Sequence, residues 1–370
     1  MTFLFWLSLF LAAYAYFGYV LWLWLYACLT QQPVRSQSIQ LPVSIIIAAR
    51  NEEDNLPRKI QNLLCLDYPK IFLQIIIASD GSTDRTAEIL FEHRDEIVPV
   101  ILDTPSGKAT ALNAAVTQAT GEILVFLDAR QSVEQNAIAE LVSCFADPEI
   151  GAVSGELLLS AADGAPAEDA LGIYWKIEKV IRKLESATGS VVGVTGAIYA
   201  IRRSLYQQIP RGTILDDVYV PMNVARAGKR VVFQPAAIAR DQLFGEKGKE
   251  FSRKVRTLTG NYQLLRLSPW ILSPANPLIF RFLSHKLLRL LVPFFLVTIF
   301  VTSALLPHPF YRIVFVLQAI FYLGSALGTI NPWFRRYKPI AIANTFVMLN
   351  AAAALAFYNS ITGRSKVWVR

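Results

Sequence analysis

Cysteine and histidine are scarce in this chain of 370 residues, which contains three of each. Cys28, Cys65 and Cys144 have no paired spacing, which argues against a disulfide framework or a cysteine-based metal knuckle. The three histidines lie too far apart along the chain to form a zinc-binding pattern. The sequence therefore points away from disulfide-stapled scaffolds and from structural zinc modules.

Charged residues are also few, at 17%, whereas 54% of the residues are hydrophobic. Residues 2–30 contain no charged residue and are long enough to cross a bilayer core of about 30 Å. A cleaved signal peptide would have a basic start and a shorter apolar run. We therefore predict an N-terminal membrane anchor at residues 1–30.

Three further apolar runs, at residues 290–306, 313–330 and 339–358, predict about three transmembrane helices in a C-terminal region 289–358. A basic tail follows at residues 359–370. If the intervening domain is cytosolic, four spans place this tail outside, whereas Lys and Arg prefer the cytosolic side. Either one C-terminal run is re-entrant or interfacial, or the charge rule is overridden here.

The formal net charge of +8 does not favour a nucleic-acid partner, because much of the basic charge flanks the apolar runs. These membrane-proximal residues are Arg281, Lys286, Arg289, Arg335, Arg336, Lys338, Arg364, Lys366 and Arg370. Their position fits the positive-inside bias and an attraction to anionic headgroups. Membrane lipids are thus the predicted partners of this charge.

Strand and helix signals alternate through residues 40–260, which predicts parallel βαβ units in an α/β domain. The strands are predicted at residues 44–48, 74–79, 98–102 and 122–127. The helices are predicted at residues 53–65, 85–93, 107–117 and 173–185. The second half of the domain is expected to form a mixed sheet. Residues 261–288 alternate apolar and basic side chains, which predicts short amphipathic helices on the membrane surface.

Polar residues follow each of the first four predicted strands. Glu52 follows the first strand, Asp80 the second and Asp128 the fourth, while Lys108 opens the helix after the third. Ligands of open α/β sheets bind beyond the carboxyl ends of the strands, so these residues should share one rim. Lys108 at a helix N-terminus suits a diphosphate, although the spacing is not that of a P-loop. Asp80 could instead accept backbone N–H groups of a turn.

Seven short motifs occur in the order in which family 2 glycosyltransferases carry them. They are Asn51-Glu52-Glu53, Asp80-Gly81-Ser82, Gly107-Lys108, Asp128-Ala129-Arg130, Thr195-Gly196-Ala197, Asp216-Asp217 and the pair Arg253 and Arg256. The chain is therefore similar to that family over about residues 41–263. The resemblance implies a GT-A fold, a nucleotide-diphospho-sugar donor and inversion at the anomeric carbon.

On the donor side, the resemblance implies that Glu52 contacts the nucleoside, Asp80 the base or ribose and Lys108 the diphosphate. At Asp128 the family carries an Asp-x-Asp motif for Mg²⁺ or Mn²⁺, and the second Asp is Arg130 here. Asp128 could hold the metal together with the phosphates and water. Alternatively, Arg130 could neutralise the diphosphate through a bidentate contact.

On the acceptor side, the resemblance implies that Asp217 is the general base and Asp216 a supporting group. A helix N-terminus enriched in Asp is the structural alternative. The family's small-residue loop beside the acceptor corresponds to Thr195, Gly196 and Ala197. Arg253 and Arg256 match the Gln-x-x-Arg-Trp element of processive polysaccharide synthases and would pair with the leaving diphosphate. Arg253 and Arg256 could instead form a basic cluster at the membrane surface. Thr257 stands where the Gln-x-x-Arg-Trp element has its Trp.

The resemblance and the apolar runs together predict a membrane-anchored inverting glycosyltransferase of the cell envelope, with its catalytic domain on the cytosolic face of the plasma membrane. The expected donor is a UDP- or GDP-sugar, and the expected acceptor is a lipid-linked saccharide or an exopolysaccharide. Two alternatives stay open at this point. One is a polyprenyl-phosphate sugar transferase, and the other is a catalytically inactive membrane scaffold of a polysaccharide assembly complex.

Overall fold

The computed structural model describes residues 1–160, 170–242 and 247–363. Four helices are long and apolar enough to cross a membrane, one near the N-terminus and three near the C-terminus, as predicted. Span 1, Thr2–Leu29, consists of helix α1 (Thr2–Ala13), a π-helical turn and helix α2 (Tyr19–Leu29). It carries no charged side chain along its whole length, as a helix exposed to lipid requires.

Eight strands form one sheet in the order β3-β2-β1-β4-β7-β6-β8-β5. The strands are β1 Val43–Ala49, β2 Leu73–Asp80, β3 Val98–Leu102, β4 Ile123–Asp128, β5 Ser132–Val133, β6 Ile150–Ser160, β7 Ile198–Arg202 and β8 Arg230–Gln242. The first four strands are parallel. Strand β7 runs antiparallel to both β4 and β6, so the second half of the sheet is mixed, as predicted.

Helices cover both faces of this sheet. They are α3 Leu56–Leu64, α4 Thr86–Glu92, α5 Lys108–Thr117, α6 Ala137–Ser143, α7 Ala170–Ala187 and α8 Asp216–Arg226. Ile45 and Ile47 of β1 pack on the side of α3, and Ile46 packs on the side of α5. Central parallel strands are buried on both faces, which explains why β1, β2 and β4 are almost continuously apolar.

The connection from the domain to the membrane differs from the predicted short helices at residues 261–288. A single long helix, α9 (Lys247–Leu267), runs through the first part of this segment and is followed by a 3₁₀ turn. Span 2, Ile279–Leu305, starts well before the predicted boundary at residue 289. It contains α10 (Ile279–Phe282), a π-helical turn and α11 (Leu288–Leu305). The early start is possible because the polar side chains of its first turns form hydrogen bonds with other parts of the protein rather than with water.

Spans 3 and 4 complete the membrane region. Span 3 is helix α12 (Pro309–Ile330), and span 4 is helix α13 (Lys338–Thr362). The predicted basic tail at 359–370 therefore begins too early, since α13 continues until Gly363 adopts a left-handed conformation with φ of 70°. The basic residues 364–370 lie outside the described part of the chain. Spans 1 and 2 pack together through Phe5, Ala15 and Val292.

A buried polar network joins the α/β domain to spans 1 and 2. His285 of span 2 lies between two glutamates of α7, with Nδ1 3.0 Å from Glu185 Oε1 and Nε2 3.1 Å from Glu178 Oε2. The Tyr19 hydroxyl of span 1 donates to Glu185 at 2.7 Å. Arg289 also pairs with Glu178. Ionised side chains removed from water need such partners, because an unpaired buried charge costs several kcal/mol.

Arg281 strengthens the same junction through the backbone. Its guanidinium donates to the carbonyl oxygens of Glu185, Thr188 and Ser190 at 2.6 to 2.8 Å. These carbonyls belong to the end of α7 and the loop that follows it. Span 2 therefore holds the C-terminal end of α7 in place.

We predict that Glu185→Ala destabilises the protein by about 3–5 kcal/mol, because it leaves the Tyr19 hydroxyl and Nδ1 of His285 buried without their partner. The measurement is thermal or denaturant unfolding of the full chain in detergent micelles. Glu96→Ala is the matched control, since Glu96 pairs with His93 on an exposed surface at 2.8 Å. The control should change stability by no more than about 0.5 kcal/mol. Equal effects of the two changes would contradict a stabilising junction.

Candidate active site

The loops that follow β1 and β2 are joined by hydrogen bonds at the carboxyl edge of the sheet. Asn51 adopts a left-handed conformation with φ of 52° and accepts the Thr83 N–H at 2.8 Å. The Glu52 N–H donates to Thr86 Oγ1 at 2.8 Å, and the Glu52 carboxylate accepts from Asn55 Nδ2 at 2.6 Å. The loop bearing Glu52 is thus fixed beside the loop that follows Asp80.

Asp80 is completely buried, and both of its carboxylate oxygens accept backbone N–H groups. Oδ1 accepts from Ser106 at 2.6 Å, and Oδ2 accepts from Gly107 at 2.9 Å. Asp80 therefore accepts backbone N–H groups of a turn, which is the alternative role considered for it above. Gly107 has a φ of 95°, a conformation that favours glycine, and Lys108 follows it directly. Asp80 therefore positions the start of α5, and a direct contact of Asp80 with a nucleotide stays a prediction.

Lys108 lies between two acidic positions that are distant in the sequence. Its Nζ is 3.0 Å from Asp128 Oδ1 at the end of β4 and 3.6 Å from Asp216 Oδ2 at the start of α8. Burial lowers the pKa of Lys108, but the carboxylates of Asp128, Asp216 and Asp217 outweigh it, and the pKa is raised above its ordinary value. The side chain therefore stays a cation at neutral pH.

Asp216 and Asp217 form the first turn of α8. Burial and the adjacent charge of Asp216 raise the pKa of Asp217 to about 6, although Lys108, Lys286 and Arg182 act in the opposite direction. A carboxylate with a pKa near the working pH is well suited to accept a proton from a hydroxyl group. The helix N-terminus alone would favour the charged form, so it does not explain this shift.

The small-residue loop lies directly against Asp217. A Cβ atom on Gly196 would stand 3.5 Å from Asp217 Oδ2, and the Val194 N–H donates to the Asp217 carbonyl at 2.9 Å. Thr195 Oγ1 accepts a hydrogen bond from Arg182 of α7. Ala197, the last residue of the motif, is buried immediately before β7. The structure thus brings the predicted acceptor loop and the predicted base together.

Arg130 forms an ion pair within the protein. Its guanidinium pairs with the carboxylate of Asp241 near the end of β8, which also accepts from Gln131 Nε2 at 3.0 Å. The ammonium of Lys59 is buried beneath the same turn and donates to the Gln131 carbonyl at 2.7 Å. Burial lowers the pKa of Lys59 to about 7, against the opposing effect of Asp128.

Two of these partners could not be anticipated from local patterns. Asp241 lies 111 residues from Arg130, and no motif marks it as a partner. Arg182 is one of several basic residues on α7, and only the packing of α7 reveals that it holds Thr195. In both cases the role of the residue is revealed by a contact between distant segments of the chain, and no spacing of residues in the sequence indicates it.

Arg253 and Arg256 are located on α9, which docks onto the loop that leads into α8. Gln263 of this helix accepts the Ile214 N–H at 2.9 Å, and Gly260 lets the helix approach Leu215 closely. The helix that carries both arginines is therefore attached to the segment that carries Asp216 and Asp217. Their contact with a leaving diphosphate stays a prediction.

The described residues provide few side chains that could bind a metal ion at the candidate site. Within residues 1–160, 170–242 and 247–363, no three Asp, Glu, His or Cys side chains are grouped around a common position. Asp128 has a side chain that is 36% exposed and can supply one carboxylate. Mg²⁺ is commonly held by one or two carboxylates together with substrate phosphates and water. The site therefore fits a divalent cation that depends on the substrate for most of its ligands.

Residues 44–210 match the family model described as Glycosyl transferase family 2. Residues 44–210 form a family 2 glycosyltransferase domain. The matched segment contains the rim of β1, β2 and β4, Lys108 and the Thr195–Ala197 loop, while Asp217 lies just beyond it. The predicted family and enzyme class are confirmed.

Curated relatives of this glycosyltransferase include two named as poly-beta-1,6-N-acetyl-D-glucosamine synthase. The one from Staphylococcus aureus (strain MSSA476) is 26% identical over 229 residues, which is 60% of this chain and 55% of the relative. The one from Staphylococcus epidermidis is 25% identical over 244 residues, which is 64% of this chain and 59% of the relative. The chain thus spans little more than half the length of the curated relatives it matches.

A solved structure with a similar fold is that of mannosyltransferase PcManGT from Pyrobaculum calidifontis in complex with GDP-Man and Mn²⁺. The two chains superpose with a TM-score of 0.72, at 22% identity, over 97% of this chain and 99% of that one. The similarity confirms the predicted GT-A fold for this glycosyltransferase.

We predict that kcat/KM for sugar transfer falls on the acid side with a midpoint near pH 6, because Asp217 must be ionised to accept a proton. Asp216→Asn should move this midpoint to lower pH, since the charge of Asp216 helps to raise the pKa of Asp217. The measurement is a pH–rate profile of the full chain in detergent. A midpoint that stays in place in Asp216→Asn would contradict the coupling.

Proposed function

We propose that this membrane-bound enzyme transfers a sugar, with inversion, from a UDP- or GDP-sugar to a lipid-linked saccharide or an exopolysaccharide. Two observations support this proposal. Asp217, whose pKa is raised, lies against Gly196. Lys108 lies between Asp128 and Asp216. A base and a fixed cation are thus available at one edge of the sheet. We place the catalytic domain on the cytosolic face, where sugar nucleotides are made.

The proposed reaction is a single displacement at the anomeric carbon. The acceptor hydroxyl oxygen attacks this carbon, and Asp217 takes the hydroxyl proton as the new C–O bond forms. The bond between the anomeric carbon and the diphosphate oxygen breaks, and the nucleoside diphosphate leaves with the electron pair. Inversion requires no covalent intermediate. The proposed mechanism therefore uses Asp217 as a base and assigns no side chain the role of a nucleophile.

Positive charge at the site stabilises the leaving diphosphate. The Lys108 ammonium is held by Asp128 and Asp216, and Asp80 fixes the turn that precedes Lys108, so the cation need not reorganise as charge develops. Arg253 and Arg256 of α9 are proposed to assist. A divalent cation bound by Asp128 and the diphosphate would supply further electrostatic stabilisation. Arg130, paired with Asp241, stabilises the turn next to this position.

The relatives narrow the donor and acceptor classes. The similar mannosyltransferase was solved with GDP-Man, and the staphylococcal relatives are named for a polymer of N-acetyl-D-glucosamine. The first description agrees with a nucleotide-diphospho-sugar donor, and the second agrees with a saccharide acceptor. The four spans would keep such an acceptor close to the membrane.

Asp217→Asn should lower sugar transfer by at least about 100-fold, because the amide cannot accept the hydroxyl proton. The measurement is a screen of UDP- and GDP-sugars with the full chain, read as nucleotide release and as labelled product. Asp95→Asn is the matched control, since Asp95 is exposed in the turn between α4 and β3 and is not one of the proposed site residues. Absence of donor cleavage by the unaltered chain would favour the inactive scaffold. Equal transfer by the two variants would instead contradict the role of Asp217 as the base.

Removal of divalent cations with EDTA should abolish transfer, and Mg²⁺ or Mn²⁺ should restore it. Asp128→Asn should raise the cation concentration needed for half-maximal activity, because it removes the carboxylate that the protein contributes. Glu134→Gln provides the control, since Glu134 follows the same turn but pairs with Arg240 instead. Full activity in EDTA would show that Lys108 and neighbouring arginines neutralise the diphosphate without a metal.

A further inference from the structure

Spans 1, 2 and 3 each have one end at the α/β domain and one end far from it. Just after span 1, the Gln32 N–H donates to the Ala187 carbonyl at the end of α7 at 2.8 Å. At the other end of span 1, Phe5 packs against Tyr311 near the start of span 3, with ring centroids 4.9 Å apart. Span 2 starts against α7 and leads directly into span 3. The 22 residues of span 3 extend over roughly 33 Å, which is enough to return to the domain.

The start of span 4 lies beside the domain, as the end of span 3 requires. Ile342 lines a cavity together with Glu178 of α7 and Lys254 of α9. Asn344 Nδ2 donates to the Ser325 carbonyl in the last part of span 3 at 3.1 Å. The loop that joins spans 3 and 4 is therefore on the domain side.

The middle of span 4 lies at the same level. Asn350 is halfway along the helix, and its Nδ2 donates to the Tyr16 hydroxyl of span 1 at 3.1 Å. Tyr16 lies three residues before Tyr19, whose hydroxyl donates to Glu185 of α7. In a helix that crosses the bilayer, the halfway residue lies about 15 Å from either surface of the hydrocarbon core. Asn350 is instead close to groups that contact the domain.

The end of span 4 contacts the end of α9. The Arg266 guanidinium donates to the Ser360 carbonyl at 2.6 Å. The rings of Tyr262 and Phe357 also meet, with centroids 5.8 Å apart. Since the starts of both helices share the cavity at Ile342, the two helices run side by side in the same direction.

Helix α9 is fixed to the α/β domain at this end. Gln263 Nε2 donates to the Gly212 carbonyl at 2.8 Å, and Leu264 is buried in the domain core. Trp270, in the 3₁₀ turn after α9, lies under the Arg226 guanidinium of α8, which is 4.7 Å from the ring centroid. The part of span 4 that contacts Arg266 is therefore also on the domain side.

Helix α9 cannot accompany span 4 through a hydrocarbon core, because charged side chains are costly there. Arg266, which contacts the end of span 4, is exposed. The charged residues of α9 are Lys247, Lys249, Glu250, Arg253, Lys254, Arg256 and Arg266. A helix that lies along α9 from its start to its end therefore stays near the membrane surface.

The two faces of span 4 suit this position. Ala353 and Ala356 are buried, and small side chains of this kind allow close packing of helices. Leu355 and Tyr358 are 39% and 50% exposed, and they recur at helical spacing on the opposite face. An exposed apolar face of this kind fits lipid acyl chains, and tyrosine is common at the boundary between lipid and water.

We propose that span 4 does not cross the membrane and lies in the interfacial region of the leaflet nearest the α/β domain. Its one face packs on α9 and span 2, and its other face contacts the acyl chains of that leaflet. Spans 1, 2 and 3 are then the segments that cross. This is the interfacial alternative considered for the C-terminal runs above.

The position of the basic residues agrees with this proposal. Arg364, Lys366 and Arg370 follow Gly363 in the sequence and lie outside the described part of the chain. Four crossings would place them opposite the domain, whereas three crossings leave the end of span 4 on the domain side. Lys and Arg beside membrane segments prefer the cytosolic side, which is the side proposed for the domain.

The test is labelling of single cysteines by a membrane-impermeant maleimide, with the full chain in sealed vesicles. Cys28 and Cys65 are first replaced by Ser, while the buried Cys144 is kept. Thr362→Cys reports the exposed end of span 4, Asp95→Cys the domain, and Pro307→Cys the exposed loop between spans 2 and 3. In vesicles where Asp95→Cys is labelled, we expect Thr362→Cys to be labelled to the same extent. Pro307→Cys should react only after detergent is added.

A second measurement uses spin labels to report depth in the bilayer. Ala351→Cys lies on the exposed face in the middle of span 4, and Ile320→Cys is the matched position in the middle of span 3. We expect the label at 351 to be accessible to a water-soluble nickel reagent. The label at 320 should be accessible chiefly to oxygen, which concentrates in the hydrocarbon core.

Two outcomes would overturn the proposal. One is labelling of Thr362→Cys that requires detergent, as for Pro307→Cys, because the end of span 4 would then be opposite the domain. The other is an equal, central depth of the labels at 351 and 320. Neither measurement involves sugar transfer, so this inference and the proposed function can fail separately.

Discussion

His285 lies between two buried glutamates, and this contact joins the α/β domain to spans 1 and 2. Glu178 and Glu185 occupy one side of α7, where His285, Arg289 and Tyr19 surround them. Burial raises the pKa of each glutamate, but the charges on span 2 outweigh it and hold the pKa below its usual range. Such groups are stable inside a protein only when all partners are present, so α7 and spans 1 and 2 must assemble together.

Helix α7 carries this constraint into the active site. Its Arg182 holds Thr195 of the small-residue loop, which places Gly196 against Asp217. The small-residue loop, which is the proposed acceptor side, is therefore positioned by a helix that also contacts spans 1 and 2. On the donor side, the parallel strands bring the loop bearing Glu52, the buried Asp80 and Asp128 to one edge. Lys108 joins the two sides electrostatically through Asp128 and Asp216.

Much of the fold followed from local patterns. The predicted strand at residues 98–102 coincides with β3, and β1, β2 and β4 differ from their predictions by a residue or so at each end. Buried parallel strands have little choice of composition, so their signal is strong. The prediction of short amphipathic helices on the membrane surface at residues 261–288 differs from the structure, where α9 runs to Leu267 and span 2 begins at Ile279. Arg281 and His285 instead find partners on α7, and that pairing is visible only when the chain is folded.

The sequence by itself determined the class of domain, the number of spans and the chemical types gathered at the sheet edge, because these depend on hydrophobic patterning and on strand ends. Tertiary structure alone decided what each polar group does. Asp80 holds the turn before Lys108, Arg130 is paired with Asp241, and Arg281 and His285 find their partners on α7 and the loop after it. These roles depend on contacts between segments far apart in the chain, and no local spacing records such contacts.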